Sequence, residues 1–443
     1  DTASGKHIYL EKNYAGLVTK VYDDDSRRAL LTYANGYLIN IYDVNDCSLS
    51  YSYGCDGRIK SGTDSRNIKY FEDTYDSNGR VVKQYDAESL TPTEFIYTSE
   101  NTRTTKDRCG NTRIREYNKS NGLLSKVIDE NGNAKEYGYD ENNNVISEKD
   151  AFGAALLKEY NSFNKPTKIT DKNGNTTLYQ YDGVGNLRSI TYPKTEGVSA
   201  QETFEYNSRN QIVKHTDTRG TVTQYTYDSN GMPASKKVGD RNAVLYVYEK
   251  GLLKSETDAM GAKTSYEYNS MGQMTAKTDA CGFKTLYEYD KKGNLLKMTD
   301  PAGNVTLYTY DSNGQKSTST DANGNVTKYE YNGNMKNTAI TLPDGSTISY
   351  AYDGEDRTVK ETDQEGNACV YVYDKAGRVI SKKLADGSET KYEYDDVGNV
   401  IKETTPAGAV IVKTYDKAGN VKTAYVQDLS LIHISEPTRL GMI

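Results

Sequence analysis

Tyr268, Tyr289, Tyr310, Tyr331, Tyr352, Tyr373, Tyr394 and Tyr415 stand 21 residues apart, eight in succession without a slip. Each precedes Asp or Asn, and all but the last follow another Tyr two residues earlier, as in Tyr287-Glu288-Tyr289-Asp290. A fixed period of this length marks one supersecondary unit copied along the chain, and it outranks any local motif. A residue type present in every copy reads first as a packing device.

The beat extends upstream through Tyr248, Tyr227, Tyr206, Tyr181, Tyr160, Tyr139, Tyr117, Tyr97, Tyr75, Tyr53 and Tyr33, with steps of 20 to 22 apart from one of 25 between Tyr181 and Tyr206. The extra residues fall in Thr191–Ser199, which reads as a lengthened surface loop. About nineteen repeats thus cover nearly all of the 443 residues. An array grows by adding repeats rather than separate cores, so length alone does not set a domain count. The expected organisation is degraded repeats over 1–100, a regular array over 101–428 and a non-repeat tail over 429–443.

Composition fits a thin, half-wet sheet. Hydrophobic residues make up 35%, and Tyr replaces much of the usual aliphatic core, with 40 Tyr against 6 Phe and no Trp. A Tyr ring buries apolar area while its hydroxyl finds a polar partner. Disordered chains are poor in aromatics, so disorder is set aside. The net charge of −7, with Lys and Glu interspersed, disfavours a nucleic-acid surface. No apolar stretch reaches the roughly 18 residues of a membrane span.

One clean repeat, Asp290–Tyr310, contains two Asp-x-x-Gly turns about ten residues apart, Asp290…Gly293 and Asp300…Gly303. The next repeat carries Asp321…Gly324 at the same place, and the chain holds eighteen such turns from Asp76 to Asp416. Asp first, Pro tolerated second and Gly fourth is type I turn chemistry, with Gly taking the positive φ that completes a bulged hairpin. Between turns lie alternating segments rich in Thr, Val, Tyr, Ile and Leu. In Val305–Tyr310, Thr306, Tyr308 and Tyr310 share one face, and Thr327, Tyr329 and Tyr331 repeat the arrangement. Gly or Asn interrupts every ten residues, so no helical period survives. The expected fold is all-β, a strip of antiparallel hairpins that strand twist coils into a shell or solenoid, incomplete at both ends.

The sequence Tyr287-Glu-Tyr-Asp-Lys-Lys-Gly-Asn-Leu295, followed by Thr299-Asp-Pro-Ala-Gly-Asn-Val-Thr306, resembles the YD repeats of Rhs proteins, of the toxin-complex C component and of teneurins. The resemblance covers nearly the whole chain and holds across many repeats. It implies a large β-shell that, in bacterial members, encloses a C-terminal toxin domain and serves contact-dependent competition between cells. The Lys, Asn and Tyr bias is closer to wall-associated Gram-positive Rhs proteins than to teneurins. The family's core region with its self-cleavage segment has no counterpart before residue 443, so no catalytic residue carries over.

On this reading the chain is a non-catalytic fragment of a secreted or cell-surface bacterial protein. Its expected partner is an encapsulated toxin domain, such as a nuclease, in the same polypeptide. The rival reading is an adhesion module contacting cell wall or glycans. Any export signal is expected to lie outside this segment, since the chain opens at Asp1 with no leader pattern. The tail Leu429–Ile443 changes composition and resembles an in-frame sequencing adapter; an assembly artefact is expected, with a natural linker as the alternative.

Other candidate sites read as structure. The repeated Asp residues suit calcium, yet each turn offers one carboxylate already needed for capping, and the calcium nonapeptide is absent. The Tyr ladder suits sugar stacking, but such platforms often use Trp, and a packed sheet demands the same regularity. Cys47 and Cys55 are spaced to bridge a hairpin, whereas Cys109, Cys281 and Cys369 follow no repeat spacing, so neither a disulfide framework nor a zinc site emerges. His7, His215 and His433 lack paired ligands. No nucleophile elbow, phosphate loop or zinc-protease helix is present. No cofactor, metal or catalytic residue is expected.

Overall fold

The computed structural model describes residues 7–87, 89–195 and 197–427. His433 and the 429–443 tail lie outside the described residues. The described chain is all-β: forty strands from Ile8–Lys12 to Val421–Val426 belong to one antiparallel sheet, with no helix among them. Strands next in sequence pair, so the sheet is a ribbon whose two edges are rows of turns.

Each turn has the geometry that its residues dictate. At Asp290 the amide bonds the Asn294 carbonyl at 2.9 Å, and the Gly293 amide bonds back to the Asp290 carbonyl at 3.1 Å. Gly293 takes φ +102° and Gly303 φ +87°, a region that side-chain-bearing residues rarely adopt. This is a type I turn closed by a left-handed residue.

Alternation along the strands sorts the faces. In Val326–Tyr331 the residues Thr327, Tyr329 and Tyr331 are half-buried, while Val326, Lys328 and Glu330 are exposed. The only apolar side chains that reach full burial among the described residues are Ala87 and Ala276. Stability therefore comes from many half-covered rows rather than a closed core, with cross-strand pairs on the order of some tenths of a kcal/mol each.

Two features depart from the sequence reading. The step of 25 residues builds no loop: its extra residues lengthen the strands Leu187–Thr195 and Val198–Tyr206 to 9 residues each, pairing Lys194 with Ser199 and Thr195 with Val198. The Thr- and Val-containing tips pair readily, so the insertion satisfies its backbone by extending the hairpin. The second correction concerns Cys47 and Cys55, which are free thiols, as are Cys109, Cys281 and Cys369.

By compactness the ribbon divides into two blocks, interleaved in sequence. One takes the chain up to Leu90 with Gln211–Thr216 and Gly220–Ile348; the other takes Thr91–Asn210, Asp217–Arg219 and Ser349 onward.

Candidate functional site

The two edges of the ribbon are the places where polar side chains converge. Turns that follow a ladder Tyr, such as Asp290–Gly293, form one edge, and turns that follow a Thr position, such as Asp300–Gly303 and Asp321–Gly324, form the other. In both, the Asp carboxylate is consumed locally. One oxygen of Asp300 accepts the amides of Ala302 and Asn304 at 2.9 and 2.8 Å, and the other accepts the Asn304 side-chain amide at 2.8 Å. Asp290 binds Asn294, and Asp321 binds Asn325, in the same way. The side-chain amides of Asn304 and Asn325 hold the carboxyls of Asp300 and Asp321 below their ordinary value.

The ladder tyrosines serve the Tyr-side edge. Tyr289, Tyr310, Tyr331, Tyr373, Tyr394 and Tyr415 donate their hydroxyls to the backbone carbonyls of Met274, Leu295, Lys316, Thr358, Val379 and Val400, each 15 residues back, at 2.6 to 3.1 Å. Tyr268 and Tyr352 close their strands in the same register, opposite Met274 and Thr358. Register explains why this carbonyl needs a donor. Strands Leu295–Thr299 and Val305–Tyr310 pair only from Lys297–Leu307 to Thr299–Val305, so they diverge toward the Tyr side. The Tyr310 hydroxyl covers the carbonyl that the ladder leaves behind. Burial pushes the phenols of Tyr289, Tyr310, Tyr373 and Tyr394 up from their ordinary value.

A bulge recurs beside these turns. Tyr289 pairs with Leu295 but Glu288 with Lys297, leaving Leu296 unpaired, and Tyr310 and Tyr394 repeat the shift. Most hairpins on the Thr side keep register, as in Thr299–Val305 and Met298–Thr306, with shifts at the Thr63 and Thr191 hairpins. A bulge bends its strand and raises local twist, so bulges gathered mainly along one edge curve the ribbon in one sense. The sequence reading credited coiling to twist alone.

At several Tyr-side turns the residue just past the turn reaches along the edge to the next. Gln211 donates to the Gly231 carbonyl at 2.7 Å, Arg378 to the Asp395 carbonyl at 3.1 Å, and Asn186 to Asn210 at 2.9 Å, while Lys292, inside its turn, reaches the Ser312 carbonyl at 2.9 Å. Arg357 and Arg378 also lie over the rings of Tyr373 and Tyr394, 5.0 and 4.6 Å from the centroids.

Within each block the ribbon meets itself at turn tips 243 to 267 residues apart. In the first block Asn313 donates to Asp64 at 2.6 Å, and Lys292 pairs with Asp43 at 2.6 Å. In the second, Arg108 bonds Glu355 and Asp356, Asn131 donates to Asp374 at 3.1 Å, and Asn173 to Asp416 at 2.9 Å. The sense is constant: Thr-side tips of the earlier stretch stand against Tyr-side tips of the later one. Sequence reasoning missed this join, because its residues occupy variable tip positions far apart in the chain. Among the described residues no cluster of three His, Cys, Asp or Glu is arranged to hold a metal ion.

Comparison with known proteins follows the same division into repeats. Residues 94–250 match the family model described as Teneurin YD-shell. The model described as RHS Repeat matches 248–282, 289–324, 311–347, 336–368, 373–410 and 394–428. The chain belongs to the Rhs/YD-repeat family. No curated protein matches it. Among solved structures, this Rhs/YD-repeat chain is similar to that of TcdB2-TccC3-Cdc42, at 16% identity and a TM-score of 0.46, covering 95% of this chain and 24% of that one. It is also similar to TcdB2-TccC3, at 13% identity and a TM-score of 0.41, covering 94% and 31%. The Tc holotoxin pore of Photorhabdus luminescens gives 16% identity and a TM-score of 0.38, covering 95% and 24%. The chain spans about a quarter to a third of the length of these structures.

Proposed function

We propose that this chain is a non-catalytic segment of a secreted bacterial Rhs/YD-repeat protein, whose ribbon forms a wall that encloses and delivers a toxin domain encoded farther along the same polypeptide. The observation that carries this reading is the join within each block. Turn tips that meet through side chains turn a strip into a continuous wall, and walling off a reactive cargo depends on such continuity. The second support is chemical. The carboxylates of Asp300 and Asp321 are occupied by their own turns, and the hydroxyls of Tyr289, Tyr310, Tyr331, Tyr373, Tyr394 and Tyr415 bond backbone carbonyls. Repetition here serves construction rather than catalysis.

Two measurements test the proposal. A core region followed by a nuclease-like or deaminase-like domain in the reading frame past residue 428 supports it, and repeats running on into a wall anchor reject it. A glycan-binding screen of residues 7–427 is expected to be blank; a saturable hit transfers the assignment to a wall-binding or adhesion module.

A further inference from the structure

In the first block the join between the two stretches of ribbon differs in kind from the ladders on either side of it. Along the ladder, neighbouring strands pair residue by residue, as Leu286, Tyr287, Glu288 and Tyr289 do with Thr299, Met298, Lys297 and Leu295. Across the join, the bonds among the described residues run through side chains. Lys292 meets Asp43, Asn313 meets Asp64 and Ser65, and Arg66 reaches the carbonyls of Asn332 and Gly333 at 3.4 and 3.2 Å.

These contacts are graded along the join. Asp64 is nearly closed off, its side chain 2% exposed, whereas that of Asp43 is 39% exposed. Beyond Asp43 the stretches stand apart. A cavity of about 1420 Å³ separates Tyr22, Asp23 and Arg27 on one side from Lys250, Asn269 and Met271 on the other. The Lys292–Asp43 pair is therefore the first closed contact beside an open mouth. A half-exposed ion pair contributes on the order of 1 kcal/mol or less and weakens in salt, whereas each ladder spends several backbone bonds per strand.

We propose that the first block opens along this join, starting at the cavity, with the two stretches parting at Lys292–Asp43 while the strand ladders stay paired. The device lets the ribbon part without exposing a sheet edge, because only turn tips separate. It acts as a local, sub-global opening of the native state. The inference goes beyond the enclosing role and stands on the join alone: a positive glycan screen would reject the former and leave this intact.

The chain carries its own reporter. Cys47 closes the Asp43 turn, its amide donating to the Asp43 carboxylate at 3.0 Å, so its thiol stands at the turn that Lys292 pairs with. Cys369 is comparably half-buried but sits within the strand Ala368–Tyr373, paired to Glu361. Thiol labelling resolved by mass spectrometry, in the whole chain, reads both. Raising the ionic strength is expected to speed labelling of Cys47 several-fold while Cys369 holds its rate. In Lys292→Met, Cys47 is expected to label fast at low salt and to lose its salt response, whereas Lys291→Met, one residue away, keeps the parental behaviour. A Cys47 rate indifferent to salt overturns the proposal. So does a parallel rise at Cys369, which would mean that the ladder opens too.

Discussion

The Tyr-side and Thr-side edges of the ribbon share one turn geometry and differ in what surrounds it. Gly293 and Gly303 make the same amide bond back to their Asp, at 3.1 and 3.0 Å. At three Tyr-side turns, a Cβ added to the turn glycine meets the side chain that follows the preceding turn: Gln273 at 3.0 Å from Gly293, Arg357 at 3.3 Å from Gly377, Asn399 at 3.4 Å from Gly419, whereas Gly398 is open. At Gly303, Gly324, Gly366 and Gly408 nothing lies within 4 Å. Bulges, ladder hydroxyls and stacked arginines also gather on the Tyr side. An identical hairpin can thus be a cross-linked edge or a free one, and the choice lies in what surrounds the turn, since Asn follows both Gly293 and Gly303.

The sharpest way to break this comparison is to substitute paired glycines. Both positions require a left-handed backbone, so Gly303→Ala is expected to destabilise by about 1–2 kcal/mol from conformation alone. Gly293→Ala is expected to cost more, because Gln273 must also move. Denaturant titration of the two variants checks the order, and equal losses would erase the distinction between the edges. A smaller effect is expected for Tyr310→Phe, which keeps the ring but leaves the Leu295 carbonyl without its donor, at about 1 kcal/mol. Thr309→Val on the opposite face is the comparison, since Thr309 bonds the hydroxyls of Ser317 and Thr318 at an exposed site and its loss is expected to be slighter.

The effect of acid is smaller still at each site and does not favour one edge. Asp300 and Asp363 on the Thr side, and Asp140 and Asp182 on the Tyr side, all have carboxyls held below the ordinary 3.8, by turn side-chain bonds at Asp300, Asp363 and Asp140 and by the Asn186 amide first at Asp182. A carboxyl lowered in the folded state contributes stability that is present above its ordinary value and lost as pH falls through the folded one. Melting temperature is therefore expected to be flat above about pH 5 and to fall steadily below pH 4. A fall already complete by pH 5 would contradict the turn geometry at both edges.

Much of this ribbon is written in its sequence, and the reasons for the remainder are physical. Strands and turns are local. Asp290 and Gly293 determine a corner within four residues, and the alternation of Thr306, Tyr308 and Tyr310 sets a face. The bulge at Leu296 was not legible, because it arises from the divergence of strands that hold no unusual residue. Thr191–Ser199 misled because Gly and Pro there suggest a loop, whereas the flanking Thr and Val pair to lengthen a hairpin. The join escaped notice altogether. Asn131 and Asp374, or Arg108 and Glu355, are ordinary tip residues until curvature accumulated over more than 240 residues brings them together.

The most direct test of the difference between the edges is amide hydrogen exchange in the native chain, labelled with ¹⁵N-glycine. Because the turn glycines of both edges make the same backbone bond, any difference in rate reports what lies around the turn. Slower exchange is predicted at Gly293, Gly314 and Gly377 than at Gly303, Gly324 and Gly366. Equal rates, or faster exchange on the Tyr side, would contradict a ribbon that is cross-linked along one edge and free along the other.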